Sequence, residues 1–455
     1  MKIQDNFPDR RVCIVGLGFV GLTLAAVMAE IGFHVVGVEK REDLLSKIKL
    51  GHPGFYEPGL EKTLKKAIKN KNIEFHQEIT DDVSATVYII TVGTPINANN
   101  EICLTSISSI CEVLATKIED GDLVILRSTV KLGATRNLVL PILRRSGKSF
   151  QLAFCPERTV EGQALSELYH LPQVIGTEDF ATSVRASQLF QLVTPTTIRL
   201  PDYETAEMVK LIDNTKRDVL FAFSNEVAKI CDEVGICANK VISAGRFGYS
   251  RTNLPIPGPV GGPCLSKDPH ILIQSLRDHS GLIPEITAAA RSVNESQPKY
   301  VVSFLKSLTS TMKDFPDAPN ISLLGIAFKG IPQTDDVRGT TARPIFDELK
   351  IAFPSATFWG YDALVDHSTI QEFGLKPKDN LASAFSGAHL VLILNNHPMF
   401  SHMEIETLTL NMAPPGIVYD FWNCFTDELS LPKNINYLSL GNHKSFNREL
   451  ANQKG

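Results

Sequence analysis

The sequence predicts an α/β protein in which two doubly wound parallel sheets are joined by a long central helix and a helical middle domain. The first and last thirds of the 455-residue chain alternate apolar, β-branched segments with helical segments, a pattern typical of parallel sheets covered on both faces. Between them, residues 204–234 contain neither glycine nor proline. At about 150 residues per domain, the length allows two to three domains.

The first third contains the elements of one sheet. RVCIVG (11–16) predicts a buried strand, the segment up to Gly32 a turn and a helix, and HVVGVEK (34–40) a second strand. TVYIITV (86–92) and GDLVILRST (121–129) predict further strands because both are apolar and rich in β-branched residues. We expect an N-terminal domain over residues 1–200.

The middle of the chain is predicted to be helical over residues 201–312. Helix-forming residues dominate from Glu204 to Val234, and Gly235 follows as a stop signal. A helix of that length extends about 45 Å at 1.5 Å per residue. Such a long helix suits either a connector between domains or a dimer interface.

The last third repeats the alternation of strands and helices. A helix is predicted at TARPIFDELKIAF (341–353), and a linker at KDFPDAPN (313–320), so that the C-terminal domain covers residues 313–455. The predicted strands are NISLLGIAF (320–328), SATFWGYD (355–362), GAHLVLILNN (387–396) and GIVYDFWN (416–423).

Composition argues against several classes of protein. The net charge of −5 gives no basic surface for nucleic acid or an anionic membrane. The eight cysteines form no C-x-x-C pair and no zinc-site spacing, so we expect no disulfide framework, no metal and a cytoplasmic location. The uncharged run 12–29 is interrupted by glycines, which argues against a signal peptide or a membrane span.

A phosphate-binding pattern opens the first helix. GLGFVG (16–21) has the form G-x-G-x-x-G, follows a strand and begins a helix, which is the dinucleotide fingerprint of a Rossmann-like domain. The first glycine would make the turn, the second would admit a pyrophosphate, and the third would allow close helix packing. The predicted cofactor contacts of this turn are Gly16, Gly18, Phe19, Val20 and Gly21.

An acidic residue at the end of the second strand predicts the cofactor. Glu39 would accept hydrogen bonds from ribose hydroxyls and repel a 2′-phosphate, so NAD is favoured over NADP. The neighbouring Lys40 and Arg41 weaken that preference.

Polar side chains follow other strands of the same domain. Thr94 in TVGTP and Thr129 in RSTV lie at strand ends, where open parallel sheets bind ligands, unless they only cap helices. Glu157 in FCPERTVEGQA (154–164) could act as a base or position a water, or could simply pair with Arg158.

The predicted long helix carries Lys210 and Asn214 at positions i and i+4, on one face. A cation and an amide that face a pocket together can stabilise a developing oxyanion. The alternative is a lysine that extends to solvent from an apolar surface.

The segment GPVGGPCLSKDPH (258–270) surrounds Cys264 with glycines and places Lys267 and Asp268 shortly after it. Nearby cations and backbone N–H groups favour the nucleophilic thiolate, and Asp268 could orient a water. The alternative, a buried structural thiol, is what we assign to the other cysteines. Lys329 and Arg338 in AFKGIPQTDDVRG (327–339) suit phosphate or carboxylate contacts, or form a solvated loop.

Together these segments resemble the UDP-glucose/GDP-mannose dehydrogenase family, the nucleotide-sugar 6-dehydrogenases, over nearly the whole chain. The resemblance implies a homodimer, formed through the central helix, that oxidises the C6 alcohol of a UDP-sugar to a carboxylate with two NAD. It rests on IVGLGFVGL, EPGL (57–60), STV, PER…EG, AEMVKLIDN…NE, GGPCLSKDP, AFK…TDDVR and the YD at 361–362.

The resemblance also implies roles for individual residues. Cys264 would hold the sugar aldehyde as a thiohemiacetal that is oxidised to a thioester and hydrolysed. Lys210 and Asn214 would stabilise the oxyanions. Asp268 and Thr129 would hold the catalytic water, and Glu157 would assist hydrolysis of the thioester. The implied substrate contacts are Glu157, Lys210, Asn214, Gly261, Lys329 and Arg251, the last reaching the partner subunit's substrate. The further cofactor contacts are Thr94, Thr129, Lys267 and Arg338.

The chain departs from the usual family pattern in three places. The loop between Lys329 and Arg338 is longer, RGTT replaces RESP after it, and Glu39 replaces an aspartate. CPERTVEGQALSELYHLPQVIG and IPGPVGGPCL look most like the UDP-N-acetylhexosamine branch, which uses UDP-ManNAc or UDP-GlcNAc. UDP-glucose is the first alternative substrate and GDP-mannose the second.

Two other functions are compatible with a similar N-terminal domain. A two-electron hydroxyacid dehydrogenase would need neither Cys264 nor a second nucleotide-binding domain, and would release one NADH per substrate. A non-catalytic NAD-binding regulator would bind NAD without turnover.

Overall fold

A computed structural model of the chain describes residue 3 and residues 6–81, 83–425 and 429–443. Packing divides these residues into two compact units. The first is drawn from Met1–Asn214 and Lys267–Ile283, and the second from Thr215–Ser266 and Pro284–Gly455.

Each unit contains one sheet. The strands of the first are β1 (Arg11–Val15), β2 (His34–Val38), β3 (Ile73–His76), β4 (Val87–Ile90), β5 (Leu123–Leu126), β6 (Gln151–Phe154), β7 (Gln173–Gly176) and β8 (Thr197–Leu200). Those of the second are β9 (Asn320–Leu324), β10 (Thr357–Tyr361), β11 (Lys376–Pro377), β12 (Leu390–Ile393), β13 (Gly416–Asp420) and β14 (Ile435–Ser439).

The helices follow the chain in order. They are α1 (Phe19–Ile31), α2 (Glu42–Lys49), α3 (Leu60–Lys69), α4 (Thr105–Ala115), α5 (Leu140–Leu143), α6 (Ala164–Leu168), α7 (Phe180–Phe190), α8 (Tyr203–Val234), α9 (Ala238–Arg246), α10 (Asp268–Ser280), α11 (Glu285–Glu295), α12 (Gln297–Thr311), α13 (Ala342–Ala352), α14 (His367–Glu372), α15 (Leu381–Phe385), α16 (Pro398–Ser401) and α17 (Ile405–Thr409). A π-helical turn, Thr135–Val139, precedes α5, and a 3₁₀ turn, Arg144–Ser146, follows it.

The first sheet has the strand order β3-β2-β1-β4-β5-β6-β7-β8. Strands β1 to β6 are parallel, whereas β7 runs antiparallel to β6 and parallel to β8. Alternate residues of β1 belong to different cores: Val12 and Ile14 to one, Cys13 and Val15 to the other. Both faces are therefore covered, which explains why β1, β4 and β5 are continuous apolar segments.

The second sheet has the order β11-β10-β9-β12-β13-β14, and all its paired strands are parallel. Ile321 and Leu323 of β9 pack into one core, whereas Leu324 packs into the other. The predicted α/β fold with two doubly wound sheets is confirmed.

Helix α8 has 32 residues. It begins in the first unit and ends in the second. It stops before Gly235, which adopts a φ of +76° and donates its N–H to the carbonyl of Cys231. A left-handed glycine at this position ends a helix without strain, so the predicted stop signal is confirmed.

Candidate active site

The turn between β1 and α1 shows why its glycines differ. Gly16 has a φ of +94°, which favours glycine, and a Cβ on Gly21 would overlap the carbonyl oxygen of Gly16. By contrast, apart from Gly18 and its two chain neighbours, no heavy atom lies within 4 Å of the point where a Cβ of Gly18 would stand. The backbone at Gly18 is thus open at the N-terminus of α1, where a helix favours anions. This turn fits a dinucleotide pyrophosphate.

Glu39 is fixed beside that turn at the end of β2. Its Oε2 accepts the N–H of Leu17 at 3.0 Å and its Oε1 accepts the N–H of Arg41 at 3.0 Å. A carboxylate has about four acceptor positions, so these bonds leave capacity for ribose hydroxyls. Phe19 and Val20 lie partly exposed on the first turn of α1. The residues present fit NAD.

Three predicted cofactor contacts form one hydrogen-bonded chain in the first unit. Lys267 donates from Nζ to the carbonyl of Thr94 at 2.9 Å, and the Thr94 hydroxyl donates to the carbonyl of Thr129 at 2.7 Å. Thr94 is only 3% exposed. Its hydroxyl therefore ties the ends of β4 and β5 together, and Lys267 joins the start of α10 to the same sheet edge.

Asn214 and Asp268 form a buried pair in the first unit. The Asn214 Nδ2 donates to Oδ2 of Asp268 at 2.6 Å, and Asp268 is fully buried as the first residue of α10. Its other oxygen, Oδ1, has no hydrogen-bond partner among the described residues. Because buried polar atoms are normally satisfied, this oxygen is available to accept a hydrogen bond from water. Lys210 lies half-buried one turn before Asn214 on α8.

Glu157 is also buried, and its partner is not the neighbouring Arg158. Arg127 donates to Glu157 Oε2 from Nη2 at 2.6 Å and from Nε at 3.1 Å, while the N–H groups of Arg158 and Thr159 donate to Oε1. Burial by itself raises the pKa of Glu157, but Arg127 and these N–H groups outweigh it and hold the pKa below its ordinary value. The Arg158 side chain instead pairs with Asp213 at 3.2 Å.

Cys264 lies in the second unit, exposed and without a disulfide, on the turn before α10. The N–H of Gly262 donates to the carbonyl of Gly339 at 2.7 Å, and Gly262 has a φ of +97°. A Cβ on Gly261 would collide with that same carbonyl. The two glycines are needed because the segment containing Cys264 packs directly on the backbone at Gly339.

The predicted ligand-binding loop of the second unit is fixed at both ends. The Arg338 guanidinium donates to the Asp336 carboxylate at 2.7 and 3.0 Å, and Phe328 donates its N–H to the Asp336 carbonyl. Lys329 lies partly exposed with Nζ 5.2 Å from the Phe328 ring centre. The longer loop is held by Asn396, whose Oδ1 accepts the N–H groups of residues 330 and 331.

Arg251 is exposed in the same unit, with its guanidinium 5.0 Å from the ring centre of Tyr249. The predicted residues therefore fall into two sets. The first unit contains Gly16, Gly18, Phe19, Val20, Gly21, Glu39, Thr94, Thr129, Glu157, Lys210, Asn214, Lys267 and Asp268. The second contains Arg251, Gly261, Cys264, Lys329 and Arg338.

Two residues that shape the site were not singled out from the sequence. Arg127 orients Glu157, and Glu57 accepts the N–H of Gly162 at 2.7 Å, which fixes the loop after Glu157. The signal for Arg127 was available: a charged residue at the end of an apolar strand is buried only when it is paired. The EPGL segment contains Glu57, but its partner lies 105 positions away.

The open, largely parallel sheet, the glycine turn and the acidic residue after β2 define a dinucleotide-binding α/β protein. The family model of the UDP-glucose/GDP-mannose dehydrogenase family matches in three parts. Its NAD binding domain matches residues 10–194, its central domain residues 204–296 and its UDP binding domain residues 322–427. The chain belongs to the UDP-glucose/GDP-mannose dehydrogenase family.

Individual relatives are similar over the whole chain. The UDP-N-acetyl-D-mannosamine dehydrogenase of Methanococcus maripaludis is 30% identical over 452 residues, covering 97% of this chain and 99% of the relative. That of Methanocaldococcus jannaschii is 30% identical over 451 residues, covering 98% and 99%. The solved UDP-D-ManNAc dehydrogenase of Pyrococcus horikoshii has a TM-score of 0.84 at 27% identity, covering 95% of this chain and 99% of that chain.

The protein is therefore an NAD-dependent nucleotide-sugar dehydrogenase, an oxidoreductase with a UDP binding domain. The predicted cofactor, NAD, is confirmed. Across the residues that the structure covers, no helix combines the length and apolar character needed to cross a membrane.

Proposed function

We propose that this protein oxidises the C6 alcohol of UDP-ManNAc to the carboxylate in two NAD-dependent steps. The sugar is supported by the full-length similarity to enzymes named UDP-N-acetyl-D-mannosamine dehydrogenase. The chemistry is supported above all by the buried Asn214–Asp268 pair, whose remaining carboxylate oxygen can accept a hydrogen bond from water.

Cys264 would supply the covalent step. Its thiolate adds to the C6 aldehyde to give a thiohemiacetal, oxidation of that adduct gives a thioester, and water cleaves the thioester to release the carboxylate and restore the thiol. Bound NAD supplies the hydride acceptor for both oxidations. The thioester explains the need for a cysteine, because it keeps the aldehyde on the protein between the two oxidations.

The surrounding side chains would divide the remaining work. Asp268 would hold the hydrolytic water with Thr129, and Lys210 with Asn214 would stabilise the oxyanions at C6. Glu157 would assist hydrolysis by fixing the backbone at Arg158 and Thr159, because its low pKa and its hydrogen bonds to Arg127 make it a poor proton acceptor at neutral pH.

The residues of the second unit would contact both ligands. Lys329 and Gly261 would contact the nucleotide sugar, and Arg338 would contact the cofactor. Asp336 holds the Arg338 guanidinium in one orientation, which would pre-organise it for a phosphate group. We propose a cytoplasmic location for the enzyme.

We further propose a homodimer in which Arg251 reaches the partner subunit's substrate. Helix α8 exposes an apolar stripe: Phe223 is 53%, Ile230 55% and Val234 55% exposed. These positions are seven and four residues apart and therefore share one helix face. Phe247, after α9, is 91% exposed. Exposed apolar side chains grouped in this way mark an interaction surface.

Light scattering after gel filtration tests the dimer. The expected mass is about twice the 50.1 kDa of the chain. The double variant Phe223→Glu/Ile230→Glu is expected to be monomeric, whereas Phe180→Glu, which replaces an exposed phenylalanine of the first unit, keeps the dimer. A monomeric wild-type protein would exclude the role of Arg251.

An NADH-release assay against UDP-ManNAc, UDP-GlcNAc, UDP-glucose and GDP-mannose tests the substrate. We expect the highest kcat/KM with UDP-ManNAc, by about tenfold or more, as contacts to one sugar substituent can supply. Faster turnover of UDP-glucose or GDP-mannose would reject the proposed sugar. Cys264→Ser is the control, and we expect it to lose turnover on every substrate.

A further inference from the structure

A buried polar network underlies the segment 258–265, which contains Cys264. At the start of the segment, the Asn225 side chain holds both backbone polar groups of Gly258. Its Nδ2 donates to the Gly258 carbonyl at 3.1 Å, and its Oδ1 accepts the Gly258 N–H at 3.0 Å. One amide on α8 thus fixes the position and direction of the backbone that enters the segment.

The end of the segment is held by Arg291 of α11. Its Nη1 donates to the carbonyl of Leu265 at 3.3 Å and to Oδ1 of Asp218 at 2.7 Å. Leu265 directly follows Cys264, so this contact lies one peptide from the nucleophile. Asp218, on α8, fixes the guanidinium that holds this peptide.

Both ends belong to the same network. Asn294 donates from Nδ2 to Oδ1 of Asp218 at 2.8 Å and accepts the Asn225 Nδ2 at 3.0 Å. Asp218 and Asn225 are fully buried, Asn294 is 4% exposed and Arg291 is 5% exposed. Helices α8 and α11 therefore present one continuous polar surface to the two ends of the segment.

Fold stability is a weak explanation for this arrangement. A buried ion pair is often no more stabilising than apolar residues of the same volume, because both charges lose their hydration. Burial raises the pKa of Asp218 even though Arg291 lies beside it and lowers the pKa in part. The network does, however, fix a backbone that glycines at 258, 261 and 262 would otherwise leave mobile.

We propose that Arg291, oriented by Asp218, is a positioning residue that fixes the carbonyl of Leu265, the residue after Cys264, and so directs the thiol towards the C6 aldehyde. This inference rests on the proposed covalent role of Cys264. Asn225 holds the other end of the same segment. A misplacement of about 1 Å at a reacting atom costs on the order of 100-fold in rate.

The test compares Arg291→Lys, the double variant Asp218→Asn/Arg291→Gln and the control Glu295→Gln. The double variant removes both buried charges together, so neither is left unpaired. Arg291→Lys keeps the charge but lacks the planar fork of arginine. Glu295 is half-exposed and accepts hydrogen bonds from Nε and Nη2 of Arg291. The bonds of Arg291 to Asp218 and Leu265 use Nη1 instead, so Glu295→Gln is the matched control.

Four quantities are measured on each variant: kcat and KM with UDP-ManNAc, the melting temperature, and hydrogen exchange of the peptide covering 258–265 without ligands. For the double variant we expect cooperative melting, faster exchange in that peptide, and a kcat lower by about 100-fold at nearly unchanged KM. Arg291→Lys should lose about tenfold in kcat, and Glu295→Gln should behave like the wild type.

Wild-type kcat, or wild-type exchange in 258–265, in the folded double variant would overturn the inference. If that variant does not fold, Arg291→Lys decides by the same two readouts. Cys264→Ser separates this inference from the proposed function. If Cys264→Ser is inactive while the double variant is fully active, only the positioning role fails. If Cys264→Ser retains turnover, the covalent role itself fails.

Discussion

At the scale of single residues, the two oxygens of Asp268 have different surroundings. Oδ2 accepts a hydrogen bond from Asn214, and Oδ1 has no hydrogen-bond partner among the residues that the structure describes. A carboxylate held by one oxygen can orient a water with the other. Asn214 therefore contributes twice to the proposed reaction, because it fixes Asp268 and lies one helical turn from Lys210.

Asp268→Asn tests this assignment. The amide keeps the shape but weakens the hold on the water, so hydrolysis slows and kcat falls by about 100-fold, at the low end of general acid–base effects. The thioester then accumulates, and mass spectrometry of the Cys264 peptide is expected to show the added sugar acyl group. Asp213→Asn, a half-exposed aspartate on α8, should retain wild-type kcat. A loss of kcat without any adduct on Cys264 would contradict the role.

The sequence could predict such residues only where the signal is local. The spacing of Lys210 and Asn214 on one face of a helix follows from helical geometry alone. The bond from Asn214 to Asp268 joins positions 54 apart, and that from Arg127 to Glu157 positions 30 apart. Pairing over such distances depends on tertiary packing, so the sequence offered Arg158 as the partner of Glu157, which is wrong.

At the scale of elements, the β1–α1 turn separates a glycine needed for the fold from one open to the cofactor. Gly21→Ala is expected to lower the melting temperature because its Cβ overlaps the Gly16 carbonyl. Gly18→Ala should melt like the wild type, because Gly18 has a φ of −69° and no heavy atom beyond its chain neighbours lies within 4 Å of the new Cβ. Its Kd for NAD should nevertheless rise about tenfold or more, since the methyl group occupies the pyrophosphate face.

Titration calorimetry and thermal melting measure these two effects separately. Gly18→Ala with wild-type NAD affinity would show that the open backbone is not the cofactor face. Gly21→Ala with a wild-type melting temperature would show that the close approach of α1 to β1 is dispensable.

The end of α8 is fixed by a buried group of titratable side chains in the second unit. Asp232 accepts the Tyr300 hydroxyl at 2.9 Å and the N–H of His443 at 2.8 Å, and the His443 Nδ1 lies 3.2 Å from Asp232 Oδ2. Burial raises the pKa of Asp232 from 3.8 to about 6 and lowers the pKa of His443 from 6.5 to about 3. The helix end is therefore held by two groups with opposite pH dependence.

The sign of each contribution follows from proton binding. Folded Asp232 keeps a proton that the unfolded chain releases, so its contribution to stability falls as pH rises from 3.8 to about 6. Unfolded His443 binds a proton that the folded state excludes, so its contribution falls as pH drops from 6.5 towards about 3. Between about pH 4 and 6 the two contributions to the free energy of unfolding therefore change with pH in opposite directions.

Asp232→Asn removes the pH dependence of stability that Asp232 contributes and leaves the pH dependence contributed by His443. Between pH 6 and 4 its free energy of unfolding is expected to fall, relative to the wild type, by up to about 1.4 kcal/mol per pH unit. Urea unfolding of the second unit, followed at several pH values, measures this difference. Asp317→Asn, an exposed aspartate, should run parallel to the wild type. If the free energy of unfolding of Asp232→Asn changed with pH in the same way as that of the wild type, Asp232 and His443 would not titrate in opposite senses.

Elements with strong local signals were predicted well, and edge strands were not. Helix α8 begins one residue before the predicted Glu204. Its presence was predictable because a long segment without glycine or proline favours a continuous helix. Strand β8 was not singled out. It has four residues, and Ile198 and Arg199 within it are both exposed. An edge strand of this kind lacks the continuous apolar pattern of central strands.

At the scale of the whole molecule, the two units share one structural feature, a hydrogen bond between a glycine turn and an acidic side chain. In the first, Leu17 after Gly16 donates its N–H to Glu39 at 3.0 Å. In the second, Ile326 after Gly325 donates its N–H to Asp362 at 2.7 Å, and Gly325 has a φ of +88°. In both sheets an acidic residue at the end of the neighbouring strand fixes the glycine turn after the first strand. The two turns differ at the second glycine, because Ala327 stands in the second turn where the first has Gly18.

The chain has an NAD binding domain and a UDP binding domain. The proposed oxidation of a UDP-sugar therefore sets the number of NADH formed per sugar. Oxidation of an alcohol to a carboxylate removes four electrons, whereas each NAD accepts two. A dehydrogenase that stopped at the aldehyde would not need Cys264. The number of NADH formed per sugar therefore tests the covalent account directly.

The decisive measurement is the amount of NADH released when a limiting, known quantity of UDP-ManNAc is consumed to completion with excess NAD. If Cys264 holds the aldehyde between two oxidations, the wild type releases two NADH per sugar and Cys264→Ser loses turnover. One NADH per sugar would exclude this covalent role, as would two NADH per sugar released by Cys264→Ser at the wild-type rate.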